Sequence, residues 1–558
     1  MSRADEIPTE PPFAHPYGPE ASPFLTPDQI ERASRFGTVL ECVAGELLFR
    51  RGDRRIDFYL VLSGTIEVVE NEGRIFTIHH PGQFTGEVNL FNDRKALVNG
   101  RMGEPGRVLR VVRSEFRKML LAEPDIGELV MQAFVARRFG FIRNGHAAVT
   151  LIGSGMSADA VRIERFLRRN GHPLRSLDAD CNGEARALMD QNGLVCADLP
   201  AVLVPGSTTL VNPDNVELAE HLGLAEDFSS EWVHDVAVVG AGPSGLAAAV
   251  YAASEGLTTL VLEAEAPGGQ AGTSSRIENY LGFPTGLSGQ SLAGRATIQA
   301  MRFGAKIALP RRVVGIDCDQ RPYRIRLDDG RHALARTVVI ATGAHYRGIQ
   351  VPGCGQFEGM GIHYAASTIE ARLCAEEEVA IVGGGNSAGQ AAMFLSRSAR
   401  HVHILVRGPA LALTMSDYLV DRIEASDRIT IHTRTQIVAV RGDRHLEGIS
   451  WQHADAPEPE DRPIRHVFLM VGATPNSEWL GGCVATDPNG FICVGPGISE
   501  DWPLERAPFI LETSRPGIFA VGDVRAGSVK RVASAVGEGS IAVQFIHRAL
   551  EEYRRAEA

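Results

Sequence analysis

Two glycine-punctuated strand–helix–strand patterns, at 235–263 and 378–407, and a run of short alternating segments over 38–80 predict a multidomain α/β protein with an N-terminal β-barrel or jelly roll. A chain of 558 residues accommodates about four domains at roughly 150 residues each. Apolar residues make up 44% and charged residues 22%, as in soluble globular proteins, and a net charge of −12 argues against general nucleic-acid binding. Residues 1–23 are acidic and proline-rich; they read as a disordered arm without the pattern of a signal peptide. The apolar stretch Val236–Ala253 is broken by glycines and Pro243-Ser244 and runs straight into a strand, which argues against a membrane span. The eight cysteines include no Cys-x-x-Cys pair, which fits a reducing cytoplasm and offers neither a zinc site nor a vicinal dithiol, so no metal is expected.

The first domain is expected over 24–146. Gly45-Glu-Leu-Leu-Phe-Arg50 leads to Gly52-Asp53, and Phe58-Tyr-Leu-Val-Leu-Ser-Gly64 leads to Thr65-Ile-Glu-Val-Val69, followed by helical patterns near 114–122 and 124–142. With Phe49, Leu62 and Ile66-Glu-Val68 in place, this stretch resembles a cyclic-nucleotide-binding domain. The resemblance implies a phosphate-binding cassette opened by Gly86 and Glu87, the carboxylate serving a ribose 2′-hydroxyl and backbone N–H groups with one cation serving the cyclic phosphate. The family closes its cassette with Arg-Ser; here Lys95-Ala96 stands there, preceded by Arg94. Lys95, joined by Arg94, is the candidate phosphate ligand, but lysine is a point charge without the bidentate fork of arginine and Ala96 removes a hydroxyl, so a barrel kept for packing or dimer contacts is the alternative.

The second domain is expected over 147–230. Strands at 148–152, 174–179 and 201–204 alternate with helices at 159–170, 184–191 and 215–223. The order, with Pro200 before a strand, resembles a thioredoxin or glutaredoxin fold and implies a cis bond at Pro200. Where that family carries Cys-x-x-Cys this chain reads Gly153-Ser-Gly-Met-Ser157, so thiolate chemistry is absent there. Cys181 and Cys196 lie elsewhere and are expected to be buried and structural; the domain reads as a redox-silent spacer or docking module.

In the third stretch, Val236–Val239 is an apolar strand, Gly240, Gly242 and Gly245 follow at dinucleotide-fold spacing, Leu246–Ser254 is helical, and a second strand ends on Glu263. Gly240 permits the turn, Gly242 admits a pyrophosphate to the backbone, Gly245 allows close helix–strand packing, and Glu263 is placed for ribose hydroxyls. Ala266-Pro-Gly-Gly-Gln-Ala271, Ile277-Glu-Asn-Tyr-Leu-Gly-Phe-Pro284, Thr513–Asp523 and Ala535–Ser540 follow in order. Together these resemble the low-molecular-weight thioredoxin reductases over nearly all of 231–550. The resemblance implies two Rossmann-like, three-layer domains: an FAD domain split into 231–344 and 474–558, and an NAD(P)H domain inserted at 345–473. It assigns Gly240, Gly242, Gly245 and Glu263 to the adenosine half of FAD, Gly269, Gln270 and Asn279 to the flavin half, Gly343 to the crossover, and Gly522 and Asp523 to the ribityl or pyrophosphate region. A homodimer is also implied.

In the inserted domain, Glu378–Val382 is a strand and Gly383, Gly385 and Ala388 repeat the spacing around Asn386 and Ser387. The next strand, Val402–Val406, ends on Arg407 rather than on an acid, which favours NADPH over NADH; the family has further arginines beside it, whereas here Gly408 follows and the next arginine in sequence is Arg422. The main departure is at 361–368. The family reads Tyr-Cys-Ala-Thr-Cys-Asp, and this chain places Ala365 and Thr368 at the two cysteine positions. No residue of the internal dithiol remains, so no catalytic residue is named, and Cys374 lacks a sequence neighbour to replace it.

The reading is an FAD-dependent NAD(P)H oxidoreductase that passes electrons to an external acceptor such as a redox protein, with the barrel as a cyclic-nucleotide regulator. Its rivals are a non-catalytic redox or nucleotide sensor, and a ferredoxin–NADP reductase-like or disulfide reductase that uses a partner's thiols.

Overall fold

A computed structural model of the chain describes residues 17–558 apart from 71–72, 93, 145–147, 154–156, 181, 206–208, 227, 275–276, 278–279, 359, 365, 367, 414, 444, 499–501 and 558. The N-terminal strands form two antiparallel sheets. One pairs Thr38–Cys42, Gly106–Val111 and Phe58–Val61; the other runs Leu47–Phe49, Asn99–Glu104, Thr65–Val69, Ile75–His79. Their inward residues Phe58, Leu60 and Ile66, with Phe84 from the segment after Ile75–His79, are fully buried beneath the helices Arg113–Ala122 and Pro124–Asn144, whose Phe116 and Phe134 close the core. The expected barrel with trailing helices is therefore present.

The next unit is a four-stranded sheet in the order Thr209–Val211, Ala201–Leu203, Val149–Gly153, Leu174–Asp178. Only the last pair is parallel. Helices Ala158–Arg169, Gly183–Gln191 and Asn215–Leu222 are each opened by a side-chain cap, from Ser157, Asn182 and Asp214. The Leu199–Pro200 bond is cis. The short edge strand Thr209–Val211 escaped the sequence reading because three residues carry too little alternation to register. Cys196 corrects the expectation of burial: it opens an exposed 3-10 turn, Cys196–Asp198, on a surface connection, while Cys181 lies outside the described residues.

The third unit is a seven-stranded sheet built on four parallel strands, Lys306–Ala308, Thr259–Leu262, Val233–Val239 and His332–Ile340, with Ile518–Ala520 added parallel to the last. Tyr323–Leu327 and Val313–Asp317 extend it antiparallel. The central strands are apolar on both faces because both are covered: helices Pro243–Ser254, Gly289–Arg302 and Val532–Glu557 pack on one side, and on the other lie Ile316, Tyr323 and Ile325 of the antiparallel strands with Leu480, Val484 and Ile492. The long C-terminal helix Val532–Glu557 lies against Pro243–Ser254, close enough that a side chain at Gly539 would strike the Ser244 carbonyl.

The inserted unit is a parallel sheet in the order Ile362–His363, His466–Leu469, Glu378–Val382, His401–Leu405, Ile429–His432, with a three-stranded antiparallel sheet, Thr435–Gly442, Leu446–His453 and Glu460–Arg462, beside it. It has its own cores, around Val379, Ile381 and Leu395 and around Phe357, Ile449 and Trp451. By contrast, one continuous apolar cluster runs from the barrel through the second unit into the third, through Leu90, Leu222, Leu224, Ile298 and Met301. The first three units are thus packed as one body, and the inserted unit joins it through the pair Ala344–Tyr346 and Ala473–Pro475.

Cys318 and Cys483 form a disulfide with Cα atoms 6.0 Å apart, a pairing that the absence of Cys-x-x-Cys spacing did not reveal. The bond ties the end of Val313–Asp317 to the segment returning from the inserted unit. A sequence separation of 165 hides such a pair from any search for local spacing. Among the described residues no helix is long and apolar enough to cross a membrane.

Candidate functional site

The first site is the turn between Val233–Val239 and Pro243–Ser254. Gly240 has φ 101°, and a Cβ there would lie 2.5 Å from the Ala341 carbonyl oxygen. A Cβ at Gly245 would collide with the Gly240 carbonyl, so close packing demands glycine there too. Gly242 differs: the nearest atom to an added Cβ is Gly269 Cα at 4.0 Å. Nothing in the fold requires glycine at 242, which leaves a bare backbone cradle. Gly242 caps the helix without a side-chain hydrogen bond, and Pro243 occupies the first turn, so the first-turn N–H groups of a 12-residue helix face the cradle. This is the geometry a pyrophosphate needs.

Glu263 sits at the tip of the second strand. Its Oε2 accepts from Ala241 N at 2.8 Å, and its Oε1 accepts from Glu265 N at 2.9 Å and Ala266 N at 3.2 Å. Burial pushes its pKa up, and the backbone donors and Arg169 pull it back. The carboxylate therefore shapes the loop beside the cradle, accepting from three backbone N–H groups. Gly269 lies over the cradle, its added Cβ 3.1 Å from Gly242 Cα, and the Gln270 amide donates to the Ala344 carbonyl at the crossover. Gly522 approaches Ser244 on the same helix terminus, and its N–H donates to Glu538 Oε2 at 2.7 Å. Asn279 lies outside the described residues.

The crossover is pinned by reciprocal bonds that sequence reasoning missed. Thr342 Oγ1 donates to the Asn476 carbonyl at 2.7 Å, Asn476 Nδ2 returns to the Thr342 carbonyl at 2.8 Å, and Asn476 N donates to the Gly343 carbonyl at 3.0 Å. Gly343, at φ 67°, makes the turn into the inserted unit. The recurrence of an Ala-Thr at 341–342 with an Asn at 476 was the available signal.

The second site repeats the first. Gly383 has φ 144°, and its Cβ would lie 2.5 Å from the Met470 carbonyl oxygen. Gly385 caps the helix Asn386–Leu395, and Ala388 is fully buried against the strand. Asn386 Oδ1 accepts from Ser416 N at 2.8 Å and Ser416 Oγ at 3.1 Å, while Ser387 is exposed. Arg407 is exposed at the tip of His401–Leu405, and no ion pair is formed by it among the described residues.

Around the missing dithiol, Ala365 lies outside the described residues, and Thr368 begins the helix Thr368–Leu373. The neighbouring His363 Nε2 and His466 Nδ1 are 3.1 Å apart, and burial lowers His363 to about 4, so the pair is neutral near pH 7. Cys374 is completely buried, its thiol pushed up to about 11 by burial, and it donates to the Ala371 carbonyl; it is no thiolate nucleophile.

In the barrel, a cavity is lined by Phe49, Ile56, Phe76, Glu87, Arg137 and Phe141. Glu87 Oε2 is 3.6 Å from Arg138 Nη1, and Arg137 donates to the carbonyls of Ala21, Gly86 and Phe84. Gly86 lies in the left-handed region, at φ 109°. Neither Lys95 nor Arg94 is among the residues lining this cavity. Lys95 Nζ donates to the His221 carbonyl at 2.8 Å, and Arg94 Nη1 donates to the Asn170 carbonyl at 3.4 Å, both in the second unit. The physical reason is packing: the cassette abuts Asn170 and the 221–225 turn, and helix-terminal carbonyls there capture both cations.

Asn170 continues the contact, its Nδ2 donating to the Glu265 carbonyl at 3.0 Å, while Arg169 donates to Glu265 Oε2 at 3.0 Å and to the Gly269 carbonyl at 3.2 Å. The last turn of Ala158–Arg169 thus bridges the cassette and the loop over the Gly242 cradle.

A family model described as a cyclic nucleotide-binding domain matches residues 39–123, and one described as pyridine nucleotide-disulphide oxidoreductase matches residues 234–539, more than half the chain. A thioredoxin reductase of Mycolicibacterium smegmatis is 32% identical over 327 residues, 58% of this chain and 99% of that protein. NADPH-dependent thioredoxin reductase 3 of Arabidopsis thaliana is 32% identical over 57% of this chain, which spans 59% of that protein. The solved thioredoxin reductase of Streptococcus pyogenes is 29% identical, with a TM-score of 0.52 over 58% of this chain and 100% of its own. With two glycine-turn folds in register and an N-terminal barrel that matches its own family, the chain belongs to the pyridine nucleotide-disulphide oxidoreductases and carries a cyclic nucleotide-binding domain ahead of the reductase portion.

Proposed function

We propose that the protein is an FAD-dependent oxidoreductase that takes hydride from NAD(P)H and delivers electrons to an external acceptor. The observation that carries this reading is the pair of bare-backbone helix termini, at Gly242 and Gly385, on units joined by the Thr342–Asn476 crossover. FAD, when bound, supplies the hydride-accepting ring. The chain's own residues do the holding. The N–H groups after Gly242 take the pyrophosphate, with Gly240 and Gly245 shaping the turn; Glu263 orients the adenosine ribose; Gly269, Gln270 and Gly343 flank the flavin half; Gly522 and Asp523 close the other side. In the inserted unit Gly383, Gly385, Asn386, Ser387 and Ala388 hold the coenzyme pyrophosphate, and Arg407 meets the adenosine end. The crossover is the hinge about which the inserted unit turns, which its separate core favours.

The acceptor is external because Ala365 and Thr368 stand at the family's cysteine positions and Cys374 is sealed. Anaerobic titration of the purified yellow protein with NADPH and NADH, followed by a panel of quinone, ferredoxin-like, disulfide and oxygen acceptors, tests the reading. Bleaching of the flavin and turnover with at least one acceptor is expected. A protein that takes up no FAD overturns it, and bleaching without turnover favours the sensor. The bridge from the cassette through Asn170 to Glu265 supports the barrel as regulator, tested by the bleaching rate with and without cyclic AMP or cyclic GMP.

A further inference from the structure

We infer that Arg434 is a second specificity-determining cation for the 2′-phosphate of NADPH, acting beside Arg407; the inference rests on the NAD(P)H reading above. In sequence Arg434 lies far beyond Arg407, after the next strand. In space the two strand tips are zipped together. Val406 N donates to the His432 carbonyl at 2.9 Å, Arg434 N to the Gly408 carbonyl at 3.0 Å, and Thr435 N to the Val406 carbonyl at 3.0 Å. Arg434 is thereby fixed opposite Gly408, immediately past Arg407, at the tip of the strand where a dinucleotide fold places its adenosine ribose.

Two further observations separate Arg434 from an ordinary surface arginine. Its φ is 50°, a left-handed conformation uncommon for a side chain with a Cβ, and the backbone bonds on both sides hold it there, since Ala454 N also donates to its carbonyl at 2.8 Å. Among the described residues its guanidinium has only a long contact, 3.4 Å to Asp455, with the two side chains 53% and 70% exposed. So solvated a pair is weak and readily exchanged for a phosphate dianion, which offers a stronger charge-assisted bond. The second guanidinium replaces the adjacent arginines that the family has and that Gly408 removes here. The competing explanation is that the Arg434–Asp455 pair merely staples the 454–456 turn.

The test is calorimetry on the full-length, FAD-loaded protein with 2′,5′-ADP and 5′-ADP as probes. Wild type is expected to prefer 2′,5′-ADP by roughly tenfold or more. Arg434→Gly, which removes the charge while easing the left-handed backbone, should cut that preference about five- to thirtyfold with 5′-ADP unchanged. Arg434→Lys should retain part of it, and Asp455→Asn should keep or sharpen it. An undiminished preference in Arg434→Gly, or equal affinity for both probes in wild type, overturns the inference and leaves the flavin reading standing. If neither probe binds, the nucleotide reading of this unit falls with it.

Discussion

Lys95 Nζ lies 2.8 Å from the carbonyl oxygen of His221, so this cation clasps the barrel to the second unit. A hydrogen bond from a charged donor contributes about 1.5–3 kcal/mol where partly buried. Lys95→Ala should therefore loosen the junction, seen as faster proteolysis near 223–232 and a lower unfolding midpoint. Any cyclic-nucleotide affinity should change less than about threefold, whereas Glu87→Ala should abolish it. Calorimetry on the three proteins decides: a collapse of affinity in Lys95→Ala would return Lys95 to the phosphate.

Gly242 and Gly245 are both glycines of one turn, yet their surroundings differ. A side chain at 245 meets the Gly240 carbonyl, whereas a side chain at 242 meets nothing nearer than 4.0 Å. Gly242→Asp should fold with a wild-type melting profile and circular dichroism but purify colourless, because its carboxylate occupies the pyrophosphate cradle. Gly245→Ala should instead lose stability, by a few kcal/mol from overpacking. A yellow Gly242→Asp protein would remove this turn from flavin binding.

What the sequence made legible is what is local. The strand–glycine–helix turns at 240–245 and 383–388 follow from backbone sterics within a dozen residues, and so did the helix boundaries of the second unit. Pairings across the chain were not legible. Arg434 comes opposite Gly408 only through strand register, and Arg94 and Lys95 meet carbonyls more than seventy residues on. Asn170 gave no motif at all, although its amide joins the second unit to the loop at Glu265.

Cys318 and Cys483 illustrate the same gap and yield a chemical prediction. A non-reducing digest should recover the two peptides cross-linked, and Cys318→Ser should lower stability by about 2–4 kcal/mol, as loss of a long-range disulfide typically does. Cys374→Ser should leave flavin reduction within a few-fold, since that thiol is buried and held near 11. Loss of flavin reduction in folded Cys374→Ser would contradict the external-acceptor reading.

His172 makes the junction acid-labile. Burial lowers it to about 3, and Arg138, Arg94 and Arg51 repel its proton further. Its folded pKa lies below the value of about 6.5 it takes when unfolded. Above pH 6.5 both states are neutral and the residue adds no pH dependence. As pH falls from 6.5 towards 3 the unfolded chain takes up a proton that the folded chain refuses, so stability is lost across that window. By pH 5 the loss amounts to about 2 kcal/mol from this residue. His234, His363 and His403, each lowered to about 4 chiefly by burial, act in the same direction. The unfolding midpoint should therefore fall between pH 7.5 and pH 5, and His172→Leu should flatten that fall relative to wild type. A parallel pH profile in the variant would show that the imidazole at 172 carries its proton in the folded protein after all.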